Sequence, residues 1–284
     1  MSSSMSGDAR DGVRPDRRTV LHALPFAAAW LATAPAACAN SPEAPEQPDQ
    51  HAQAIPNMMG AESIAMLIYP GFTALDLVGP HFFLSGLMGA KVQLVTNQPT
   101  LAPVMSDAGL AITPTSTLED AYAAPDVLFI PGGFEGTLAA MQHKPTLEFV
   151  SSRSSGARLV ASVCTGSFIL AAAGVLEGKR ATSHWAARET LAAFGVTPVN
   201  ERVVQDGKFL SGAGISAGLD AGLVMTEVLR GRPYAEAQML QAEYAPVPPF
   251  PGGRPDNTRS EITSAMQSML GGFNGRARAI AQAR

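Results

Sequence analysis

The sequence predicts an α/β fold of three layers, in which helices cover both faces of a mostly parallel central sheet. Short apolar runs of strand length alternate with longer segments that repeat apolar residues at helical spacing. Sharp loops follow three of the strands, at Pro70-Gly71, Pro131-Gly132-Gly133 and 163–166. Because ligands bind beyond the carboxyl ends of parallel strands, we expect the functional site at these loops.

The predicted elements lie between residues 61 and 255, which we interpret as one domain. Apolar runs of strand length are found at 63–69, 91–96, 126–130 and 158–163. Helices are predicted at 73–87, 146–154, 166–173, 185–194 and 216–229. Gly79-Pro80 interrupts the first helix, and Asp206-Gly207, within 203–210, predicts the turn of a β-hairpin.

Composition excludes several classes of function. The 284 residues are 46% hydrophobic and 15% charged, which is typical of a folded, charge-poor chain. A net charge of −4 gives no basic footprint for nucleic acid or an anionic membrane. Two cysteines make no disulfide framework, and no Cys/His cluster has the spacing of zinc ligands. We therefore expect no nucleic-acid partner and no zinc site.

Residues 1–39 have the pattern of an export signal. Arg17 and Arg18 precede an alanine-rich apolar run at 21–37, and Ala37-Cys38-Ala39 has the small-residue form of a cleavage site. The paired arginines resemble a twin-arginine signal, which predicts a periplasmic protein. Cys38 could instead be the lipidated cysteine of a lipoprotein, and a disordered extension on a cytoplasmic protein is the alternative to export. The run is too short for a transmembrane helix.

Two further segments flank the predicted domain. Residues 40–60 are rich in proline, which stiffens a segment and denies it a helix, so we interpret them as a linker. Residues 256–284 contain a weak helical pattern at 261–270 and a small, basic end. We expect this C-terminal tail to be partly ordered at best.

Residues 161–167 predict a reactive cysteine. A buried-type strand runs directly into Cys164, and Gly166 then begins a helix, as in the strand–turn–helix elbows that present a nucleophile above a sheet. The positive end of the helix dipole is expected to lower the pKa of the thiol. The alternative is a small buried hydrophobic side chain, which is how most free cysteines behave.

The elbow and the stretch 175–185 that follows it resemble the ThiJ/PfpI superfamily of class I glutamine-amidotransferase-like proteins. Segments 74–81 (ALDLVGPH), 130–133 (IPGG) and 241–250 (QAEYAPVPPF) are most similar to the isonitrile hydratases of that superfamily. The resemblance runs from about residue 64 to residue 250. It implies a flavodoxin-like sheet, a homodimer, and a hydro-lyase that hydrates an isonitrile to an N-substituted formamide through a covalent thioimidate, without a metal or an organic cofactor.

The resemblance also implies three catalytic residues. Cys164 is the nucleophile, and Asp76, in the first strand–helix loop, exchanges protons with the thiol and with substrate. Asp76 could instead cap the following helix. Thr165 occupies the position at which the proteases of the superfamily have histidine, which argues against peptidase chemistry. Its hydroxyl would bind water or the substrate nitrogen, or else satisfy backbone groups at the helix start.

Four more residues are expected to line the site by resemblance. Gly132 and Gly133 form a close-approach loop, in which the Gly133 amide joins that of Thr165 in an oxyanion hole, although the loop could be a plain turn. Ile215 lies against the cysteine. We expect His184 to lie near the pocket without taking part in the chemistry.

Three other functions use the same predicted fold. A ligand-sensing domain of the AraC type would carry a helix-turn-helix domain, for which too few residues follow Phe250. A redox or glycation response would use the same cysteine. A non-catalytic ligand-binding module is the third alternative, and assay of isocyanide turnover separates it from an enzyme.

Overall fold

The computed structural model describes residues 55–284, so the predicted export signal, Cys38 and most of the predicted linker lie outside the described residues. Eleven strands occur in the described part of the chain. They are β1 (Ser63–Ile68), β2 (Lys91–Thr96), β3 (Val104–Met105), β4 (Ala111–Ile112), β5 (Ser116–Thr117), β6 (Val127–Ile130), β7 (Leu159–Val163), β8 (Arg180–Ala181), β9 (Thr197–Pro198), β10 (Val203–Asp206) and β11 (Phe209–Gly212).

Seven of these strands form the central sheet, in the order β10-β11-β7-β6-β1-β2-β5. Neighbouring strands are parallel except for the hairpin β10–β11, in which Asp206 pairs with Phe209 across a two-residue turn. Gly207 has a φ of +61° in that turn, a conformation that glycine adopts without strain. The predicted parallel sheet and hairpin are therefore confirmed.

The sheet is covered by helices on both faces. The helices are α1 (Ala74–Ser85), α2 (Phe134–Ala140), α3 (Lys144–Gly156), α4 (Gly166–Ala172), the 3-10 helix η1 (Arg188–Phe194), α5 (Ala217–Arg230), α6 (Arg232–Gln241) and α7 (Ser260–Gln282). One group, α1, α5 and α6, packs together, and a second group contains α2, α3, α4, α7 and η1. The central strands are buried on both sides, which explains their continuous apolar sequence.

Helix α1 continues through the predicted interruption. Gly79 and Pro80 are buried inside it, and a Cβ on Gly218 of α5 would lie only 3.2 Å from the Pro80 ring. The small residues therefore mark the close packing of α1 on α5, and tertiary contact outweighs the low helix propensity of proline. The helix predicted at 185–194 forms only the shorter η1.

The expectation of a partly ordered C-terminal tail is wrong. Residues of that segment form α7, a helix of 23 residues that packs on the domain through Phe273 and Ala277, both of which are buried. The Phe273 ring lies 5.5 Å from that of Phe134 and 5.1 Å from that of Phe168, both edge to face. Apolar side chains four residues apart share one helix face, so this contact fixes the helix. Within residues 55–284, no helix is long and apolar enough to cross a membrane.

Candidate active site

Four loops meet at the carboxyl ends of neighbouring strands β11, β7, β6 and β1. They follow the strands at 213–216, 164–165, 131–133 and 69–73. Three of them are the loops that the sequence singles out. Parallel strand order therefore brings residues that are far apart in sequence to one edge of the sheet, as expected.

Cys164 occupies the turn between β7 and α4. Its φ is +57°, a left-handed conformation that is strained for a residue with a Cβ, and its N–H lies 2.9 Å from the carbonyl of Ala213. The side chain is fully buried. These features form the predicted elbow, in which the backbone conformation fixes the position of the Cys164 sulfur.

Asp76 meets the cysteine inside the protein. Its side chain is fully buried, its Oδ2 accepts the N–H of Gly132 at 3.1 Å, and the carboxylate lies against the Cys164 thiol. Its Oδ1 has no hydrogen-bond partner among the described residues. Asp76 is the third residue of α1, after the N-cap Thr73, so capping does not account for its position.

Gly132 leaves the space that this contact needs. A Cβ at that position would lie 2.7 Å from Asp76 Oδ2 and 2.8 Å from the Cβ of Cys164. No side chain fits at such distances, so glycine is required for the Asp76–Cys164 contact.

Burial sets the acid–base properties of the pair. It raises the pKa of Asp76 to about 7, against hydrogen bonds from Cys164 and Gly132 that lower it. Burial, with the charge of Asp76, also raises the pKa of the Cys164 thiol well above its ordinary value. The expectation that the helix dipole lowers this pKa is therefore wrong, because loss of water outweighs it. The thiol needs a base, and Asp76 is in contact with it.

Two backbone amides face the sulfur. The N–H groups of Thr165 and Ile215 donate to Cys164 and favour its thiolate, although burial outweighs them. The Gly133 N–H instead donates to Thr165 Oγ1 at 3.0 Å. The Gly133 N–H, expected to join that of Thr165 in an oxyanion hole, is thus engaged by a side chain, and the amides that affect the thiol pKa are those of Thr165 and Ile215.

His184 lies near the site, and its ring makes no hydrogen bond to Cys164 or Asp76. Its Nδ1 accepts the N–H of Ala186 at 3.3 Å, so the ring proton is on Nε2. Burial lowers the pKa of His184 to about 4, which keeps the ring neutral at pH 7. The ring packs against Phe134 at 5.1 Å and Trp185 at 5.7 Å.

Sequence reasoning missed four polar contacts of the elbow. The hydroxyls of Ser183 and Ser167 donate to the carbonyl of Cys164, at 2.8 and 3.2 Å. Thr137 Oγ1 lies 2.8 Å from Thr165 Oγ1 and 3.1 Å from the hydroxyl of Tyr69. The position of Tyr69, directly after β1 and before Pro70-Gly71, could have indicated a site residue. A tyrosine at the carboxyl end of a strand can place its hydroxyl group at the site.

A cavity of about 660 Å³ borders the loop at 213–216. The residues that line it include Trp185, the neighbour of His184, with Val203, Arg188, Arg202 and Arg254. Within residues 55–284, no three His, Cys, Asp or Glu side chains cluster closely enough to hold a metal ion.

Comparisons with known proteins agree on one family. The sequence profile of the DJ-1/PfpI family matches residues 62–227. The chain is 45% identical to isonitrile hydratase from Pseudomonas putida over 202 residues, which cover 71% of this chain and 87% of that protein. It is 36% identical to a deglycase from Pyrococcus abyssi over 86 residues, 30% of this chain and 51% of that protein. A crystal structure of a ThiJ/PfpI family protein from Pseudomonas syringae superposes with a TM-score of 0.79 at 46% identity, over 84% of this chain and 98% of that one.

Proposed function

The chain belongs to the DJ-1/PfpI family, and on that premise we propose that it is a cysteine-dependent hydro-lyase that converts an isonitrile to an N-substituted formamide. The observation that carries the proposal is the buried contact between the Asp76 carboxylate and the Cys164 thiol. The 45% identity to a protein named isonitrile hydratase supports the choice of substrate class.

In the first half of the reaction, the Asp76 carboxylate takes the thiol proton. Cys164 Sγ then forms a bond to the terminal carbon of R–N≡C, and Asp76 returns the proton to that carbon. The product is the thioimidate R–N=CH–S–Cys. A carboxyl group whose pKa is about 7 can both accept and donate a proton near neutral pH, which suits this double role.

In the second half, water adds to the thioimidate carbon. Asp76 accepts one proton of the water and passes it to the nitrogen, which gives R–NH–CH(OH)–S–Cys. The C–S bond then breaks, the hydroxyl proton returns to sulfur, and R–NH–CHO leaves. The N–H groups of Thr165 and Ile215 stabilise negative charge on the departing sulfur. Covalent catalysis divides one hard addition into two easier ones.

The cavity at the loop 213–216 is the place that we propose for the group R. The 660 Å³ cavity shares Gly214 and Ser216 with the loop whose Ile215 amide faces the sulfur. Its size is that of ordinary small-molecule sites, and Trp185 offers an apolar face. Phe72, the other aromatic residue near the site in sequence, is fully buried in the core and is not available to R.

A redox response is the main competitor, and the acid–base properties of the thiol argue against it. Oxidation favours thiols of low pKa. Burial raises the pKa of the Cys164 thiol. A thiol of this kind reacts when a neighbouring base deprotonates it for a bound electrophile, which supports addition chemistry.

Isocyanide turnover tests the proposed function. Wild-type protein and the Cys164→Ala variant are incubated with an alkyl isocyanide, and the formamide is measured by NMR. Cys38→Ala is the matched control, since it removes the other cysteine of the chain. Wild type and Cys38→Ala should form the formamide, whereas Cys164→Ala should not. Equal turnover by Cys164→Ala would remove the cysteine from the mechanism.

Export is the remaining part of the proposal. It rests on the paired Arg17-Arg18 and the apolar run at 21–37. Replacement of both arginines by lysine should leave the protein in the cytoplasmic fraction, while the wild type is recovered from the periplasm. Equal periplasmic recovery of both would contradict a twin-arginine signal.

A further inference from the structure

One peptide group connects Tyr69 to Asp76. The Tyr69 hydroxyl donates to the carbonyl of Pro131 at 2.7 Å, and the N–H of Gly132 donates to Asp76 Oδ2 at 3.1 Å. The C=O of Pro131 and the N–H of Gly132 belong to the same peptide bond, which is planar and trans. Because the C=O and the N–H of a trans peptide point in opposite directions, holding the one fixes the direction of the other.

The next peptide group is held in the same way. Its carbonyl, that of Gly132, accepts the N–H of Thr73 at 2.8 Å. Its N–H, that of Gly133, donates to Thr165 Oγ1 at 3.0 Å. Hydrogen bonds therefore hold both the C=O and the N–H of each of these two peptide groups.

The hydroxyl protons of Tyr69, Thr137 and Thr165 have one consistent direction. A carbonyl only accepts, so the single proton of Tyr69 goes to Pro131. Thr137, 3.1 Å away, must then donate to Tyr69, and Thr165, 2.8 Å from Thr137, must donate to Thr137. Thr165 Oγ1 accepts the Gly133 N–H, which leaves its own proton committed away from the cysteine.

We propose that Tyr69 is a positioning residue for the proposed reaction. Its hydroxyl orients the Pro131–Gly132 peptide toward Asp76. Through Thr137, it also orients the hydroxyl of Thr165. Tyr69 does not touch the thiol and does not carry a proton in the chemistry. The inference rests on the proposed function, in which Asp76 is the base. Thr165 is then an acceptor that secures the loop, and the hydroxyl does not supply the proton for the substrate nitrogen.

The hydroxyl groups that link Tyr69 to the site lie in buried surroundings. Tyr69, Thr137 and Thr165 are almost fully buried, so water does not replace a lost hydroxyl easily. Burial raises the pKa of Tyr69 well above its ordinary value, and it stays a donor throughout the working range of pH. The titratable groups that face Asp76 are Cys164, Asp107 and the neutral Tyr69. A hydrogen bond from Gly132 lowers the pKa of Asp76, so its weakening raises that pKa.

The experiment compares Tyr69→Phe with Tyr234→Phe. The Tyr234 hydroxyl also makes two backbone hydrogen bonds in a buried place, to Gly86 and Met88, but far along the chain from the site. Both variants therefore lose a similar structural contact. Isocyanide turnover and the rate of Cys164 alkylation by iodoacetamide are measured from pH 5 to 9.

Tyr69→Phe should move the acid limb of both pH profiles by about half to one unit toward higher pH, and reduce turnover at pH 7 by about twofold to fivefold. Tyr234→Phe should leave both profiles in place. Thr137→Val, which keeps the Tyr69–Pro131 hydrogen bond, should lower turnover without moving the acid limb of either pH profile. If Tyr69→Phe folds and its limb coincides with that of wild type, the inference is overturned.

Alkylation keeps this test separate from the proposed function. It reports deprotonation of Cys164 with no reference to the substrate. If the wild type does not hydrate isocyanides but alkylation of Tyr69→Phe shows the shifted limb, the function is wrong and the role of Tyr69 stands. If turnover is present and neither profile moves, the role of Tyr69 is wrong and the function stands.

Discussion

The Cys164 thiol lies against the Asp76 carboxylate, and neither side chain is exposed to solvent. Burial disfavours the charged form of each group, and each group shifts the pKa of the other. One proton shared between two buried groups is a suitable start for an addition in which the proton leaves sulfur and arrives at carbon.

The pH dependence of turnover should report the ionisation of the Asp76 carboxyl group. Since the Asp76 carboxylate must be free to take the thiol proton, kcat/KM should rise with pH and level off above the Asp76 pKa of about 7. An acid limb near pH 4, the value of an exposed carboxyl group, would contradict the role given to burial.

Asp76→Asn should stabilise the protein at high pH. In the unfolded chain Asp76 loses its proton at about pH 4, whereas in the folded protein it does so at about pH 7. Stability therefore falls as pH rises from about 4 to 7 and stays lower above that. The variant should gain up to about 4 kcal/mol at pH 8 and nothing at pH 4, measured by urea unfolding. A gain that is equal at both pH values would show that ionisation is not its cause.

Gly132→Ala should lower activity by about a hundredfold. The added methyl group would lie 2.7 Å from Asp76 Oδ2, so the carboxylate or the elbow must move. A displacement of about 1 Å at a reacting group lowers the rate about a hundredfold. Gly275→Ala is the control, because a Cβ there meets open space on helix α7. Turnover by Gly132→Ala within twofold of that of the control would mean that the close packing is not needed.

Phe273→Ala tests the anchoring of helix α7. Loss of a buried phenylalanine should lower the free energy of unfolding by about 3–5 kcal/mol. Met269→Ala, on the same helix with its side chain 76% exposed, should change it by less than about 0.5 kcal/mol. Equal small effects from both variants would return α7 to the status of a loosely attached tail.

The sequence indicates the nucleophile by local pattern and the base by family resemblance. Cys164 follows a buried strand and precedes a helix start, whereas Asp76 matches the acidic position that the family has after the first strand. The structure places Asp76 in the first turn of α1 rather than in the loop. The pKa of the thiol depends instead on burial by loops that are up to 150 residues apart in the chain, which no local pattern reports. The Gly133 amide is unpredictable for the same reason, since its acceptor is a side chain of another loop.

Helix α7 escapes prediction for a different reason. Gly271, Gly272 and Gly275 lower its helix propensity, but the contact of Phe273 with Phe134 and Phe168 decides its structure. The homodimer implied by resemblance stays a prediction, as does the export signal at residues 1–39.

The most direct test of the account is the mass of Cys164 during turnover. Wild-type protein is mixed with an alkyl isocyanide, quenched in acid within milliseconds to seconds, and analysed as intact protein and peptides. We expect a transient adduct on Cys164 that adds the mass of one isocyanide without water, and no adduct in Cys164→Ala. Formamide production with no adduct on Cys164 at any time point, or undiminished production by Cys164→Ala, would contradict covalent catalysis by this cysteine.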